Sequence, residues 1–161
     1  MAAKPAGNRT ADSAEHSAAP GASLRVSLEQ YAELLEQMAV AARSLHPAPD
    51  AVVGIKRSGL FPAVYLSHKL ELPLFTAGET GSFPFPRLKH PLLVDTAAWT
   101  GKSLRKVVAR LESLGVERVA VLVMYARSDP RPKVRGLHYL ELTDRIVHFW
   151  YEKGRVQQDD R

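Results

Sequence analysis

Short apolar runs that alternate with helical stretches constrain the fold of this chain more than any other feature. The predicted strands are residues 52–55, 74–76, 92–95 and 119–125. Helical periodicity over residues 62–70 and 102–114 fills the intervals between them. Strands that are apolar throughout and alternate with helices are typical of a parallel sheet covered on both faces. We therefore predict a single α/β domain with a mainly parallel central sheet flanked by helices.

The two ends of the chain differ from this core. Residues 1–23 are rich in Ala, Ser, Gly and Pro, so we expect a disordered tail there and a folded domain over residues 24–161. A capping box between Ser27 and Gln30 predicts that order begins near Ser27 with a helix. The apolar runs at 138–142 and 146–150 predict a small C-terminal hood of strands. A β-hairpin that packs apolar groups on the core is the alternative for these two runs.

Composition narrows the classes of protein to consider. The 161 residues suffice for one domain with a real core and not for two. The absence of cysteine excludes a disulfide framework and a thiolate metal site, which fits a cytoplasmic location. No apolar run approaches the length of a membrane span, and the N-terminus lacks the apolar core of a secretory signal. The net charge of +5 favours anionic small molecules and leaves nucleic acid open.

Residues 92–104 carry the clearest functional signal. An apolar run ends in Asp95, and after a short loop residues 100–103 read Thr-Gly-Lys-Ser at a predicted helix start. The free N–H groups and the dipole of a helix start favour phosphate, and a carboxylate nearby can accept hydrogen bonds from sugar hydroxyls or hold a hydrated metal ion. The pair suits a phosphorylated sugar. A nucleotide P-loop is excluded by Thr96, which stands where that motif needs glycine, and simple helix capping is the alternative.

A second turn has related chemistry. The run 52–55 leads into Lys56, Arg57, Ser58 and Gly59, and a helix follows. Small residues let the backbone approach an anion, and the two bases bring positive charge. Alone, this would be read as a strand-to-helix turn with solvated bases. Because it and the sugar segment both follow the carboxyl ends of parallel strands, we expect the two phosphate sites to face each other across one cleft.

The two segments together resemble the signatures of the type I phosphoribosyltransferases, over roughly residues 50–152. Asp95, Thr100, Gly101 and Ser103 match the family's diphosphosugar loop, and Thr96 replaces its second acidic residue. The pyrophosphate turn is matched by Arg57, Ser58, Gly59 and Pro62. The resemblance implies transfer of a 5-phosphoribosyl group from phosphoribosyl diphosphate to a nucleobase, with release of pyrophosphate. It implies a purine base, a role in nucleotide salvage, and Mg²⁺ bridging the diphosphate and the ribose hydroxyls.

The same resemblance assigns roles to individual residues. Arg57 and Asp95 are the catalytic candidates, and Asp95 is also the metal-ligand candidate. The residues expected to bind the co-substrate are Lys56, Arg57, Ser58, Gly59, Asp95, Thr96, Ala97, Ala98, Trp99, Thr100, Gly101, Lys102 and Ser103. Those expected to bind the base are Tyr125, Arg127, Ile146 and Val147, with Ile146 on the base face and the Val147 backbone on its edge. The family's non-proline cis peptide would fall at Arg57–Ser58.

Departures from the family pattern keep other functions open. Besides Thr96, Trp99 stands where purine enzymes place an aspartate, and Tyr125 stands where they place a lysine. These changes favour a catalytically degenerate protein that binds phosphoribosyl diphosphate or a nucleotide as a sensor or regulator. An RNA-binding regulator is suggested by the basic balance alone. The loop 78–90 is either a compact lid or an incomplete shield. We also expect a homodimer, with Trp99 either stacking on a ligand or filling the dimer contact.

Overall fold

The structure is a computed structural model that describes residues 22–77 and 88–152. Its strands are β1 (Ser23–Val26), β2 (Ala51–Ile55), β3 (Leu74–Ala77), β4 (Pro91–Ala98), β5 (Ala120–Arg127), β6 (Leu137–Thr143) and β7 (Ile146–Phe149). Its helices are α1 (Leu28–Arg43), α2 (Leu60–Leu70) and α3 (Lys102–Ser113), and a 3₁₀ turn follows at Trp150–Glu152. None of the described helices is long and apolar enough to span a membrane.

Five strands form the central sheet, in the order β3-β2-β4-β5-β6, and every neighbouring pair is parallel. Alternate side chains of these strands enter two cores. Met38 and Leu66 from α1 and α2 pack on one face of the sheet, and Leu111 from α3 packs on the other. Since both faces are covered, the inner strands β2, β4 and β5 are mostly buried, whereas the edge strands β3 and β6 are partly exposed. The predicted α/β architecture is confirmed.

A strand precedes the helix with which order was expected to begin. Ser27 caps α1 through the expected reciprocal pair, because its side chain accepts from the Gln30 N–H and the Gln30 side chain accepts from the Ser27 N–H. The first element that the structure describes is nevertheless β1, ahead of Ser27. β1 pairs in parallel with β7, far away in the sequence, so no local pattern marks it. The rest of the predicted tail, residues 1–21, lies outside the described residues.

The predicted hood is only partly right. The run 138–142 belongs to β6, which extends the central sheet beside β5 instead of covering the site. The run 146–150 forms β7, and its partner is β1 in a separate two-stranded sheet. The hairpin alternative is therefore also wrong. Both runs are apolar enough for either arrangement, and only long-range pairing chose between them.

β4 is longer than predicted, and this changes the place of Asp95. The strand continues through Ala98 because Ala97 and Ala98 pair with Tyr125 and Ala126 of β5. Asp95 therefore lies within the strand, not at its tip, and Thr96, Ala97 and Ala98 are not loop residues. Of the predicted lid, residues 78–87 lie outside the described residues.

Candidate functional site

The turn between β2 and α2 packs directly on β4. A Cβ atom on Gly59 would lie 2.6 Å from the Val94 carbonyl oxygen and 3.0 Å from the Asp95 Cα. Only glycine fits this approach, and the turn is thereby held against the strand that carries Asp95. Lys56 and Arg57 remain exposed. The cis peptide of this turn joins Lys56 to Arg57, so the resemblance misplaced it by one residue, since the turn already begins at Lys56.

Asp95 is held by contacts with its own strand and with the turn. Its Oδ1 atom accepts a hydrogen bond from the Thr96 N–H at 2.8 Å and one from the Ser58 hydroxyl at 3.4 Å. Burial raises the pKa of Asp95 to about 6, and these two hydrogen bonds oppose that rise only in part. Its Oδ2 atom accepts no hydrogen bond from any residue that the structure describes, so one carboxylate oxygen stays available to a ligand.

Thr96 has a structural contact at the position of the family's second acid. It is buried, with 3% of its surface exposed, and its hydroxyl donates to Ser58 Oγ at 3.2 Å. Ser58 in turn donates to Asp95, so the three side chains form one short chain across the turn and the strand. Thr96 thus stabilises the position of the Ser58 turn. Ala97 and Ala98, also expected to bind the co-substrate, are strand residues, and Ala98 is buried.

The second candidate turn lies between β4 and α3. Gly101 caps α3 in the left-handed conformation, at φ 70°, and a Cβ atom there would lie 2.5 Å from Val134 Cγ2. The Thr100 hydroxyl, one residue before the N-cap, accepts from the Lys102 N–H at 3.3 Å, and no side chain caps the helix start. Arg105 donates to the Thr100 carbonyl at 2.9 Å. Lys102 and Ser103 are exposed, and the first turn of α3 contains no acidic residue to oppose an anion.

The two turns share one edge of the sheet. β2 and β4 are parallel neighbours, so the turns that follow them leave the sheet at the same carboxyl edge. Asp95 contacts the first turn through Ser58 and Gly59 and precedes the second turn in β4. A cavity of about 660 Å³ lies at the opposite edge, beside His90 and Gly136, and contains none of the candidate residues.

The four candidate base-binding residues are not gathered in one place. Arg127 lies over the Trp99 ring, with its guanidinium carbon 6.0 Å from the ring centroid. Tyr125 is buried against Phe149, and its pKa is raised to about 12, chiefly by burial. Ile146 is exposed, and the strand of Val147 pairs with β1. Tyr125 and Val147 belong to one core cluster, and Tyr125 pairs with Ala97 of β4. Arg127 contacts Trp99 instead.

Two tyrosines near Asp95 were not identified from the sequence. Tyr31 comes from α1 and Tyr151 from the C-terminal 3₁₀ turn, and their rings meet edge to face at 6.0 Å. Tyr151 also stacks on Phe61 at 4.8 Å and on Phe149 at 5.7 Å. Burial raises the pKa of Tyr151 to about 12, and the nearby charges of Glu152 and Asp95 add to the rise. In the sequence, Tyr31 has only the spacing of a core residue of its helix. No local pattern therefore predicts that Tyr31 and Tyr151 lie near Asp95.

Comparison with solved structures gives the fold its class. No family model matches the chain, and no curated protein matches it by sequence. A purine phosphoribosyltransferase from Pyrococcus horikoshii superposes with a TM-score of 0.69 at 25% identity, covering 81% of this chain and 94% of that one. A xanthine-guanine-hypoxanthine phosphoribosyltransferase from Helicobacter pylori also gives a TM-score of 0.69, at 18% identity over 80% of this chain and 92% of that one.

A third solved structure is a complex with a nucleotide. A hypothetical protein from Neisseria gonorrhoeae with bound ppGpp superposes with a TM-score of 0.64 at 13% identity, over 81% of this chain and 90% of that one. These likenesses, with the five parallel strands and the flanking helices, define a type I phosphoribosyltransferase-like fold. The chain has this fold, and its low identity to the solved structures marks it as a divergent example.

Proposed function

We propose that this protein transfers a 5-phosphoribosyl group from phosphoribosyl diphosphate to a nucleobase and releases pyrophosphate. One observation supports this most directly: the Lys56–Gly59 turn is packed on the strand of Asp95, with Ser58 hydrogen-bonded to its carboxylate. In this arrangement the group that faces the leaving pyrophosphate and the group that faces the ribose are in contact. A helix cap or a solvated turn alone would not need that contact.

The chemistry rests on positioning and on neutralising charge. As the bond between C1 of the ribose and the pyrophosphate breaks, the sugar takes on oxocarbenium character and the leaving group gains negative charge. Lys56, Arg57 and the N–H groups of the turn would stabilise that negative charge because they are in place before it develops. Thr100, Gly101, Lys102 and Ser103 would hold the 5′-phosphate at the start of α3. Asp95 would accept hydrogen bonds from the ribose hydroxyls.

Magnesium belongs to the same proposal. Among the described residues no group of three or more acidic or histidine side chains is placed to hold a metal ion. Mg²⁺, however, is often bound by only one or two carboxylates together with substrate phosphates, and it keeps several waters. The free Oδ2 of Asp95 fits that mode, so Asp95 would hold an ion that arrives with the diphosphate. Such an ion would neutralise charge on the departing pyrophosphate.

We propose a purine as the acceptor base. The solved structures from Pyrococcus horikoshii and Helicobacter pylori are described as a purine and a xanthine-guanine-hypoxanthine phosphoribosyltransferase. In this chain the Arg127–Trp99 pair stands directly before the phosphate loop, where it would meet the base. An arginine there can donate to a 6-oxo group, the role that a lysine fills at the position of Tyr125 in purine enzymes. A homodimer and a cytoplasmic location are parts of the same proposal.

The decisive assay is incubation with phosphoribosyl diphosphate, Mg²⁺ and a panel of nucleobases, with pyrophosphate and nucleotide both measured. We expect Arg57→Ala to lower turnover and pyrophosphate affinity by about 10²-fold, because it removes a charged donor to the leaving group, and to change 5′-monophosphate affinity little. Arg43→Ala, an exposed arginine at the end of α1, is the matched control and should leave both unchanged. Equal losses for the two ligands would contradict the division between the two turns.

A sensor is the second candidate function. Thr96 removes one acid, and its hydroxyl is already bonded to Ser58, so sugar binding depends on Asp95 alone. The solved structure from Neisseria gonorrhoeae is described with bound ppGpp, a nucleotide with two pyrophosphate-type groups. Calorimetry separates the two functions: a sensor binds phosphoribosyl diphosphate or ppGpp but forms no nucleotide with any base. Detection of nucleotide product would eliminate it.

A further inference from the structure

Positive charge in this protein is concentrated in one part of the chain. Residues 99–135 contain nine basic and three acidic residues, for a net charge of +6, whereas the whole chain has +5. The excess of basic residues therefore comes entirely from this segment. The segment contains the end of the phosphate loop, α3, the connection to β5, β5 itself and most of the connection to β6.

The fold brings these charges to one surface. The connection between β5 and β6 runs alongside α3, since Val134 packs on Gly101, Arg105 donates to the Lys133 carbonyl at 3.4 Å, and Arg135 pairs with Glu112 at 3.1 Å. Six exposed cations of the helix and the connection make up what we call the α3 basic face: Lys102, Arg105, Lys106, Arg110, Arg131 and Lys133. None of the six forms an ion pair with any residue that the structure describes.

The distribution of charge on the α3 basic face lowers the stability of α3. Lys102 and Lys106, like Lys106 and Arg110, are four residues apart, and like charges at that spacing repel on a helix surface. Cations in the first turn also oppose the helix dipole, and α3 has no acidic residue there to offset them. The pattern therefore does not serve helix stability. A polyanionic partner would remove the repulsion by neutralising it.

We propose that the α3 basic face binds single-stranded nucleic acid. Two aromatic rings at its border already carry an arginine: Arg127 lies over Trp99 at 6.0 Å, and Arg131 lies over Tyr139 at 5.6 Å. Basic side chains that follow a phosphate backbone, next to aromatic faces on which bases can stack, are the elements of single-strand binding. This surface meets the proposed phosphoribosyl site at Lys102 and at the Arg127–Trp99 pair, whereas Lys106 and Arg110 lie outside that site. The proposal can therefore be tested at Lys106 and Arg110 without removing a residue of the proposed transferase site.

The structure favours nucleic acid over a membrane surface. A helix that lies on a bilayer needs a free apolar face opposite its cations. Leu104, Val108 and Leu111 of α3 are instead buried against the sheet, and Val107 packs on the same core. Leu114, at the C-terminal cap of α3, is exposed but lies at the far end from Lys102, so an anionic vesicle would meet mainly charge on this face. An acidic protein would supply charge but no bases for the aromatic positions.

The test is the salt dependence of binding to a fluorescently labelled single-stranded RNA of mixed sequence, measured by anisotropy on the full chain. Lys106→Gln/Arg110→Gln removes two cations that have no place in the proposed catalytic site, and glutamine keeps the helix propensity. Each phosphate contact contributes about 0.7 to the salt slope, so the double variant should lower the slope by about 1.4 and weaken binding about 25-fold at 0.1 M salt.

The matched control is Arg25→Gln/Arg43→Gln, which removes the same charge from β1 and the end of α1. It should change neither the slope nor the affinity. Equal losses in the two double variants would show that bulk charge alone acts, and would overturn the proposal. Equal binding of anionic vesicles or polyglutamate with the same dependence on Lys106 and Arg110 would also overturn it. Binding of both RNA and the matching DNA supports it, and tighter binding of RNA assigns RNA as the occupant.

Discussion

At the scale of single residues, Asp95 has the environment that most affects function. Its carboxylate lies inside a strand, accepts hydrogen bonds from Thr96 and Ser58, and has a pKa raised by burial to about 6. A group whose pKa is higher in the folded state than in the unfolded state binds its proton more tightly when folded. The unfolding free energy therefore falls as pH rises from about 4 to about 6, because the carboxylate must ionise where water is scarce.

We expect Asp95→Asn to separate stability from binding. The variant should be as stable as the parent at pH 7 or more stable, by on the order of 1–3 kcal/mol, since it removes the cost of a partly buried charge. It should lose phosphoribosyl diphosphate binding in the presence of Mg²⁺. Chemical denaturation and calorimetry measure the two effects on the same sample.

The parent protein supplies the pH control for this variant. If the ionised carboxylate is what binds, affinity for phosphoribosyl diphosphate should rise about tenfold from pH 5 to pH 7 and level off above that, as expected for a group with a pKa near 6. Asp95→Asn should show no such rise. A parent affinity that is flat over this range would contradict the placement of Asp95 in the sugar site.

At the scale of elements, the strand-to-helix turns determine what the site can hold. Each contains a glycine that no other residue can replace: Gly59 because the turn touches β4, and Gly101 because of its left-handed backbone and its contact with Val134. These two glycines were identified from the sequence by their match to the two signatures of the type I phosphoribosyltransferases. The packing that makes them necessary involves β4 and the connection before β6, which the spacing does not reveal.

Gly101→Ala is expected to damage the phosphate loop. The left-handed backbone costs an alanine about 1–2 kcal/mol, and the added Cβ must also displace Val134, so both the unfolding free energy and 5′-phosphate affinity should fall. Gly115→Ala is a close control, because Gly115 has φ 87° but nothing within 4 Å of its Cβ position. Denaturation and ligand titration of both variants would show the backbone cost alone in Gly115→Ala. If Gly115→Ala also lost 5′-phosphate affinity, the loss in Gly101→Ala would come from general destabilisation and not from damage to the phosphate loop.

At the scale of the whole molecule, the first and the last strands that the structure describes are joined. β1 pairs with β7, and Phe149 of β7 is buried between Tyr31 of α1 and Tyr151 of the 3₁₀ turn. This aromatic cluster holds the C-terminal strand against the first helix, close to Asp95. The stability of the domain should therefore depend on this cluster.

Phe149→Ala should lower the unfolding free energy by about 3–5 kcal/mol, since it leaves a cavity among aromatic rings. Ile146→Ala in the same strand should cost far less, because 54% of the Ile146 surface is already exposed. Urea denaturation of the two variants gives the comparison. Similar costs at the two positions would show that β7 acts through its backbone pairing and not through the aromatic cluster.

The sequence by itself determined the α/β class, the capping of α1 and the two turns rich in small and basic residues, because each is written in residues close together along the chain. The tertiary structure decided the rest. It placed Asp95 inside β4, put 138–142 into the central sheet, paired β1 with β7, and gathered the cations of α3 and the 128–136 connection on one face. The physical reason is that strand pairing and side-chain clustering join residues that are far apart in the sequence. The contacts between two such segments produce no periodic pattern in either segment alone, so the sequence does not predict them.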